Sequence, residues 1–233
     1  MSYFPFFREI EGEKCLVIGG GKVAARKISR LKGFGVKIKV VAPSIVSDIE
    51  AVAQSCDNIS IERRTFTQED IENVDFVIAA AGEEADKEAV RLCKERSIPV
   101  NVVDNQELCD FIFPSIIRKG DMVAGFVTGG KSPYVAAKVR RDCEMNISDN
   151  IEDILDYLAR IRKLAKDRIS DERKRAAYIR EVSEFCMKAD RVCSEQEEAA
   201  ILEGYIDDKC DDKKKAVLPG AALVGAGCGS YEL

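Results

Sequence analysis

Gly19-Gly20-Gly21 stands between an apolar run, Lys14-Cys15-Leu16-Val17-Ile18, and a stretch with helical spacing, Val23, Ala24, Ile28 and Leu31. A strand that turns within a few residues into a helix needs glycine where the backbone bends tightly. The same turn exposes the helix's first N–H groups and the positive end of its dipole, which suits a pyrophosphate. The spacing Gly19-x-Gly21-x-x-Ala24 is that of a dinucleotide-binding turn, with Lys22 and Val23 inside it. Glycine at a strand–helix turn can also serve geometry alone, so the surrounding pattern has to carry the reading.

That pattern is strand–helix alternation. Val36 to Val41 reads as a second strand, closed by Pro43, and Gly33 and Gly35 stop the helix before it. Val46, Ile49, Val52 and Ala53 suggest a second helix, and Ile59-Ser60-Ile61 a short strand. Phe76 to Ala80 is a buried-type strand, followed by a helix over about 85–96 and a strand over 99–103. Alternation of this kind builds a doubly wound, Rossmann-like parallel sheet. The fold class expected is α/β, with that sheet followed by a small β-hairpin/helix domain and a helical domain. The expected limits are 1–110 for the sheet domain, 111–149 for the hairpin piece and 150–210 for the helices, with 211–233 as linker and tail.

The pattern changes after Asp104. Phe111 to Ile117 and Met122 to Val127 flank Arg118-Lys119-Gly120-Asp121 and read as a hairpin, with Pro114 at an edge or bulge. Gly129-Gly130-Lys131-Ser132-Pro133 leads into a helix with Pro133 in its first turn and Ser132 as its cap. Further on, Ile151, Ile154, Leu155, Leu158 and Ile161 share a helical face, Ser170-Asp171-Glu172 marks a helix start, and Ser194 with Glu197 makes a capping box.

Composition narrows the chemistry. The chain has 233 residues and no histidine. Imidazole bases, Ser-His-Asp and Cys-His catalysis and His-ligated zinc are therefore excluded, and proton transfer falls to carboxylate, lysine, tyrosine, cysteine or water. Nine cysteines are spread without a Cys-x-x-Cys pair. We read them as reduced, structural and cytosolic, with no metal-ligand spacing. The net charge of −5 argues against a general nucleic-acid binder, and no apolar run is long enough to span a bilayer. The N-terminal residues do not read as a secretory signal, and the expected location is cytoplasmic.

The cofactor reading has a gap. A ribose-binding Asp or Glu is expected at the end of the second strand, but Val40-Val41-Ala42-Pro43-Ser44 stands there. Backbone groups and Ser44 would hold the adenosine, and the absence of a neighbouring Arg favours NAD over NADP.

In their order and spacing, these residues resemble a known family. Phe4-Pro5-Phe6-Phe7, Val17 to Lys27, Val40-Val41-Ala42-Pro43, Asn101-Val102-Val103-Asp104-Asn105, Phe111 to Ile116 and Thr128 to Pro133 resemble the sirohaem synthase dehydrogenase/chelatase module, that is, the precorrin-2 dehydrogenase / sirohydrochlorin ferrochelatase family. The match is strong over about residues 1–145 and holds only in character through the helices. The resemblance implies an NAD-binding domain, a dimerisation domain and a helical domain in a homodimer. It implies dehydrogenation of precorrin-2 to sirohydrochlorin, and in some members Fe²⁺ insertion. Asp104 falls on the family's key aspartate, with the role of general base; a turn cap with Asn105 is the bland alternative. We expect the cofactor at Gly19, Gly21, Lys22, Val23, Ala24, Pro43, Ser44, Ala81 and Asn101, and the tetrapyrrole at Ser115, Lys131 and Ser132. The resemblance also implies that Ser132 can bear a phosphate. Arg118, Lys119, Lys131, Lys138, Arg140 and Arg141 are either partners for substrate carboxylates or an ordinary solvated face. Residues 222–233 resemble the opening strand and glycine loop of a tetrapyrrole methyltransferase, with Cys228 where that family usually has proline, which points to a fused or vestigial domain. The alternatives are another NAD-linked oxidoreductase and a dinucleotide-sensing module without chemistry of its own.

Overall fold

The computed structural model describes residues 3–206. The expected methyltransferase opening at 222–233 lies outside the described residues. The sheet has five parallel strands, β1 (Lys14–Ile18), β2 (Lys37–Val41), β3 (Ile59–Glu62), β4 (Phe76–Ala79) and β5 (Val100–Val102), in the order β3-β2-β1-β4-β5. The helices between them are α1 (Lys22–Leu31), α2 (Ser47–Gln54) and α3 (Glu83–Arg96). The doubly wound sheet is as expected.

Both faces of the sheet are buried, which explains why the strands read as unbroken apolar runs. Cys15 and Val17 of β1 and Phe76 and Ile78 of β4 pack with Ala24, Ala25 and Ile28 of α1 and Ile49 of α2. Their neighbours in sequence, Leu16, Ile18, Val77 and Ala79, point to the opposite face and pack with Ala89, Leu92 and Cys93 of α3. The strand order reverses direction between β1 and β4, and in such sheets the crevice at the carboxyl ends of those strands is the ligand site.

Polar groups are buried here as well, Asp70 among them. Asp70 is 4% exposed. It accepts hydrogen bonds from Arg64 Nη1 at 2.7 Å, Lys39 Nζ at 2.9 Å and the Thr67 backbone N–H at 2.9 Å. The Arg64 guanidinium, the first of these causes, holds its carboxyl well below the usual carboxylate range.

The chain forms two compact units. Among the described residues, one joins 3–116 with 124–143, and the other joins 117–123 with 144–206. The expected boundaries at 110 and 149 do not coincide with this division, because the hairpin is shared out between the units. Its strands are β6 (Ser115–Lys119) and β7 (Met122–Phe126). The first strand starts later than expected: Phe111 to Pro114 lie outside it, and Arg118 and Lys119 belong to it rather than to the turn. Gly120, at φ +55°, turns the chain with Asp121. In the first unit, α4 (Pro133–Glu144) begins at Pro133, and Ser132 Oγ accepts from the Val135 N–H at 3.3 Å, the expected cap.

The second unit contains α5 (Ile151–Arg168), α6 (Glu172–Ala189) and α7 (Glu195–Ile206). Ile154, Tyr157, Ile161 and Ala165 pack with Tyr178, Val182 and Cys186. Tyr157 takes a deeper place in that face than Leu155 or Leu158 because its hydroxyl can donate to Glu198 Oε2 at 3.0 Å. The capping box is present: Ser194 N donates to Glu197 Oε2 at 2.8 Å, and Glu197 N to Ser194 Oγ at 3.3 Å. Among the described residues no helix is long and apolar enough to cross a membrane.

Asp70 gives a pH prediction. A carboxyl depressed in the folded state contributes stability that is full above its unfolded value near 4 and is lost as pH falls below it. Asp70→Asn is expected to lower stability at pH 7 by about 2 kcal/mol and to flatten the loss of stability below pH 4. Urea unfolding of both proteins at a series of pH values checks both effects.

Candidate dinucleotide and substrate site

The three glycines do different work. Gly19 has φ +116°, and a Cβ there would lie 2.2 Å from the Ala80 carbonyl oxygen. A Cβ on Gly20 would lie 2.1 Å from the Ser44 carbonyl oxygen. Both glycines are therefore required by the backbone packed against them, from the ends of β4 and β2 respectively. A Cβ on Gly21 would meet nothing within 4 Å. Gly21 faces open space at the α1 N-terminus, where a ligand's approach is the reason left for keeping the position bare.

That space is a cavity of about 600 Å³. Three segments surround it: Gly21 to Ala24 at the start of α1, Ala80 to Glu83 with Asp86 and Lys87 at the start of α3, and Val102 to Asn105 with Leu108 after β5. It lies at the carboxyl ends of the strands flanking the switch point. Of the expected residues, Gly21, Lys22, Val23, Ala24, Ala81 and Asp104 line it together. Gly19 supports the turn from behind. Pro43 and Ser44 are exposed beside Gly20 at the end of β2 and are not among the lining residues.

Asp104 is exposed and has φ +61°, in the left-handed region. Aspartate tolerates this conformation better than most residues, but it still costs energy, and such positions concentrate at functional sites. The turn holding it is tied by backbone hydrogen bonds to β4 and across its own base. Val103 N donates to Ala79 O at 2.9 Å, and Asp110 N donates to Val100 O at 2.9 Å.

Asn101 is placed differently from the expectation. It is 4% exposed, and its side chain does not line the cavity. It accepts from Lys27 Nζ at 2.6 Å and donates to Phe111 O at 2.8 Å. Lys27 Nζ lies 4.1 Å from the centroid of the Phe113 ring. Burial is the main cause that pulls the Lys27 ammonium down to about 8, against the opposing pull of Cys109 and Asp104. Cys109 accepts from Val102 N at 3.1 Å, so it is a polar partner in the loop and more than the apolar filler we expected.

Asp86 escaped the sequence reading. It is 7% exposed, and its carboxylate accepts from Ala81 N at 3.0 Å and Gly82 N at 3.3 Å, fixing the loop that forms one cavity wall. Burial raises its pKa. The available signal was its place in the first turn of a helix behind a glycine, where carboxylates commonly bind free N–H groups. Arginines beside the end of β2 were also missed. Ala42 N donates to Glu62 O at 3.2 Å, which brings Arg63 and Arg64 near. Arg64 is paired with Asp70 and Glu62, and Arg63 with Glu50.

The expected substrate residues lie in the first unit but outside the cavity lining. Ser115 opens β6, and Lys131 and Ser132 precede α4. Thr128 Oγ1 donates to Ser132 O at 2.9 Å and shapes that loop. The basic cluster is not uniform. In the second unit, Lys119 Nζ donates to Ile147 O at 2.9 Å and to Asp149 at 2.8 Å; in the first, Lys138 pairs with Asp142 at 2.8 Å.

Comparison with known proteins agrees with this geometry. Residues 6–115 match the family described as putative NAD(P)-binding. Over its whole length the chain is 32% identical to the sirohaem synthase of Nitrosococcus oceani and 34% identical to that of Thioalkalivibrio sulfidiphilus. The chain is a homologue of the sirohaem synthases. It spans about half the length of these relatives, 49% and 47% respectively. Among solved structures, SirC, a precorrin-2 dehydrogenase, superposes with a TM-score of 0.67 at 21% identity, over 87% of this chain and 98% of that one. This sirohaem synthase homologue therefore shares the SirC fold.

The contrast between the glycines can be measured. Gly19→Ala is expected to destabilise the protein by more than about 2 kcal/mol, read by thermal unfolding. Gly21→Ala is expected to leave the unfolding midpoint nearly unchanged and to weaken dinucleotide binding at least about tenfold, read by calorimetric titration with NAD⁺.

Proposed function

We propose that this sirohaem synthase homologue oxidises precorrin-2 to sirohydrochlorin with NAD⁺, and that Asp104 is the general base. One observation carries the reading: Asp104, held in the left-handed conformation, shares a single cavity with the dinucleotide turn Gly21–Ala24 and the Ala81–Gly82 loop.

The residues present fit the cofactor. Gly21 leaves room for close backbone approach, the α1 N-terminus offers N–H groups and a positive dipole, and Lys22 adds a cation. Bound NAD⁺ supplies the hydride acceptor. The substrate loses two electrons with one proton as hydride and a second proton to a base. Asp104 reaches the cavity from the opposite wall, and its carboxylate takes that second proton. A chain without histidine leaves a carboxylate as the simplest acceptor at neutral pH.

The proposal extends to Fe²⁺ as a second substrate. Insertion displaces pyrrole N–H protons, so the same carboxylate serves both reactions. Lys131, Ser132 and Ser115 are proposed to hold the tetrapyrrole in the assembled protein, a homodimer. Tyr134, Val135 and Val139 of α4 are exposed apolar side chains, as a subunit-covered helix would present. The proposal also includes a fused or partner methyltransferase domain opening at 222–233 and a cytoplasmic setting, in keeping with seven free cysteines among the described residues.

Anaerobic assay with precorrin-2 and NAD⁺, following NADH absorbance, tests the reaction. Asp104→Ala is expected to lower kcat by about 10²- to 10⁴-fold while calorimetry shows NAD⁺ binding kept. Equal rates in the two proteins would remove Asp104 from the mechanism. A sensing module would bind NAD⁺ without turnover. Fe²⁺ added to sirohydrochlorin beside an enzyme-free control reads the second reaction.

A further inference from the structure

Lys27 lies on α1, five residues from Lys22, but it does not line the cavity. Its side chain points to the base of the loop that follows β5. There Nζ donates to Asn101 Oδ1 at 2.6 Å and lies 4.1 Å from the Phe113 ring centroid. The Asn101 amide carries the contact onward, since its Nδ2 donates to Phe111 O at 2.8 Å and lies 3.5 Å from Cys109 Sγ. Cys109 Sγ accepts from Val102 N at 3.1 Å and lies 3.3 Å from Asn105 O. The segment that leaves β5 at Val102 and returns at Cys109 is thus fastened at its base, and Asp104 sits inside it.

A half-buried ammonium is costly to keep unless its protons are used. Here burial is the largest influence on Lys27 and works against its charge. A neutral side chain of similar length would avoid that cost. Lysine supplies what such a residue cannot: a donor that fixes which way the Asn101 amide faces, and a cation for the Phe113 ring. With Asn101 oriented, its Nδ2 is directed at the Phe111 carbonyl. Without the donor the amide can turn over, and both ends of the loop lose a hydrogen bond.

We propose that Lys27 is a positioning residue for the reaction: through Asn101, Phe113 and Cys109 it holds the 103–109 loop so that Asp104 meets the bound tetrapyrrole. This inference rests on the dehydrogenase reading above. It also assigns Asn101 a role behind the cavity wall in place of contact with the cofactor.

The test compares full-length wild type, Lys27→Met and Lys27→Arg. Lys27→Met keeps the length and removes donor and charge. We expect kcat for precorrin-2 oxidation to fall at least about tenfold, as displacement of a reacting group by a fraction of an ångström to an ångström does, with KM for NAD⁺ within about twofold of wild type. Amide hydrogen exchange is expected to quicken at 103–109 and to stay at wild-type rates in β1 and β4. Lys27→Arg, which retains a donor and a cation, is expected to recover most of kcat and of the local protection. Wild-type kcat together with wild-type exchange at 103–109 in Lys27→Met would overturn the proposal, as would exchange raised equally across the sheet, the mark of a general packing role. If Lys27→Met does not fold, Lys27→Arg decides: kcat and local exchange both near wild type, or a kcat that falls as exchange at 103–109 quickens, support the proposal, and a lowered kcat with unchanged local exchange overturns it. Wild type inactive with precorrin-2 would remove the dehydrogenase reading instead, while the exchange comparison still shows whether Lys27 holds the loop.

Discussion

Backbone-to-backbone crowding at the end of β1 governs the site. The Gly19 and Gly20 Cα atoms approach the carbonyls of Ala80 and Ser44 so closely that a single methyl group would overlap them. This contact lets the first strand turn into α1 without moving its neighbours away. It fixes where the helix begins, and so where its free N–H groups and positive dipole end point. At Gly21, which comes next, an added Cβ would meet nothing, because the turn has been completed behind it. The open space in front of Gly21 follows from the crowding at Gly19 and Gly20.

The other two cavity walls are held by polar side chains. Asp86, itself buried, collects the N–H groups of Ala81 and Gly82 at the start of α3. Lys27, Asn101 and Cys109 fasten the loop after β5. Each wall therefore has a strand end, a short loop and a side chain that satisfies the loop's backbone. Asp104 sits on one such loop in a conformation that costs energy, and the surrounding hydrogen bonds hold it there. Placing a carboxylate by its support rather than by direct contact suits the proton acceptor proposed above.

The helical unit follows a different logic. Its core is built by α5 and α6 around Tyr157, Tyr178 and the small side chains between them. Tyr157 was passed over in the sequence because a tyrosine reads as amphipathic, while Leu155 and Leu158 read as apolar. The leucines proved only partly buried, and the tyrosine went inside because Glu198, forty-one residues on, accepts its hydroxyl proton. The Cys109 case is similar. As a residue type it is a small hydrophobe, and only the fold-back of the loop onto Val102 turns it into a hydrogen-bond partner.

The sequence by itself determined the parallel sheet, the helix starts at Lys22, Pro133 and Glu195, and the placing of Gly21 to Ala24 and Asp104 at strand ends. These follow from local rules: runs buried on both faces, glycine at a tight turn, a serine cap, an aspartate after a strand. Only the tertiary structure decided that Asn101 faces Lys27 rather than the cavity, that Asp86 fixes a wall, that Arg63 and Arg64 come to the end of β2, and that the hairpin is divided between two compact units. Each of these depends on partners far apart in the chain, such as Lys27 and Asn101, seventy-four residues apart. Spacing along a sequence encodes which residues share a face of one element; it does not encode which face of another element they will meet.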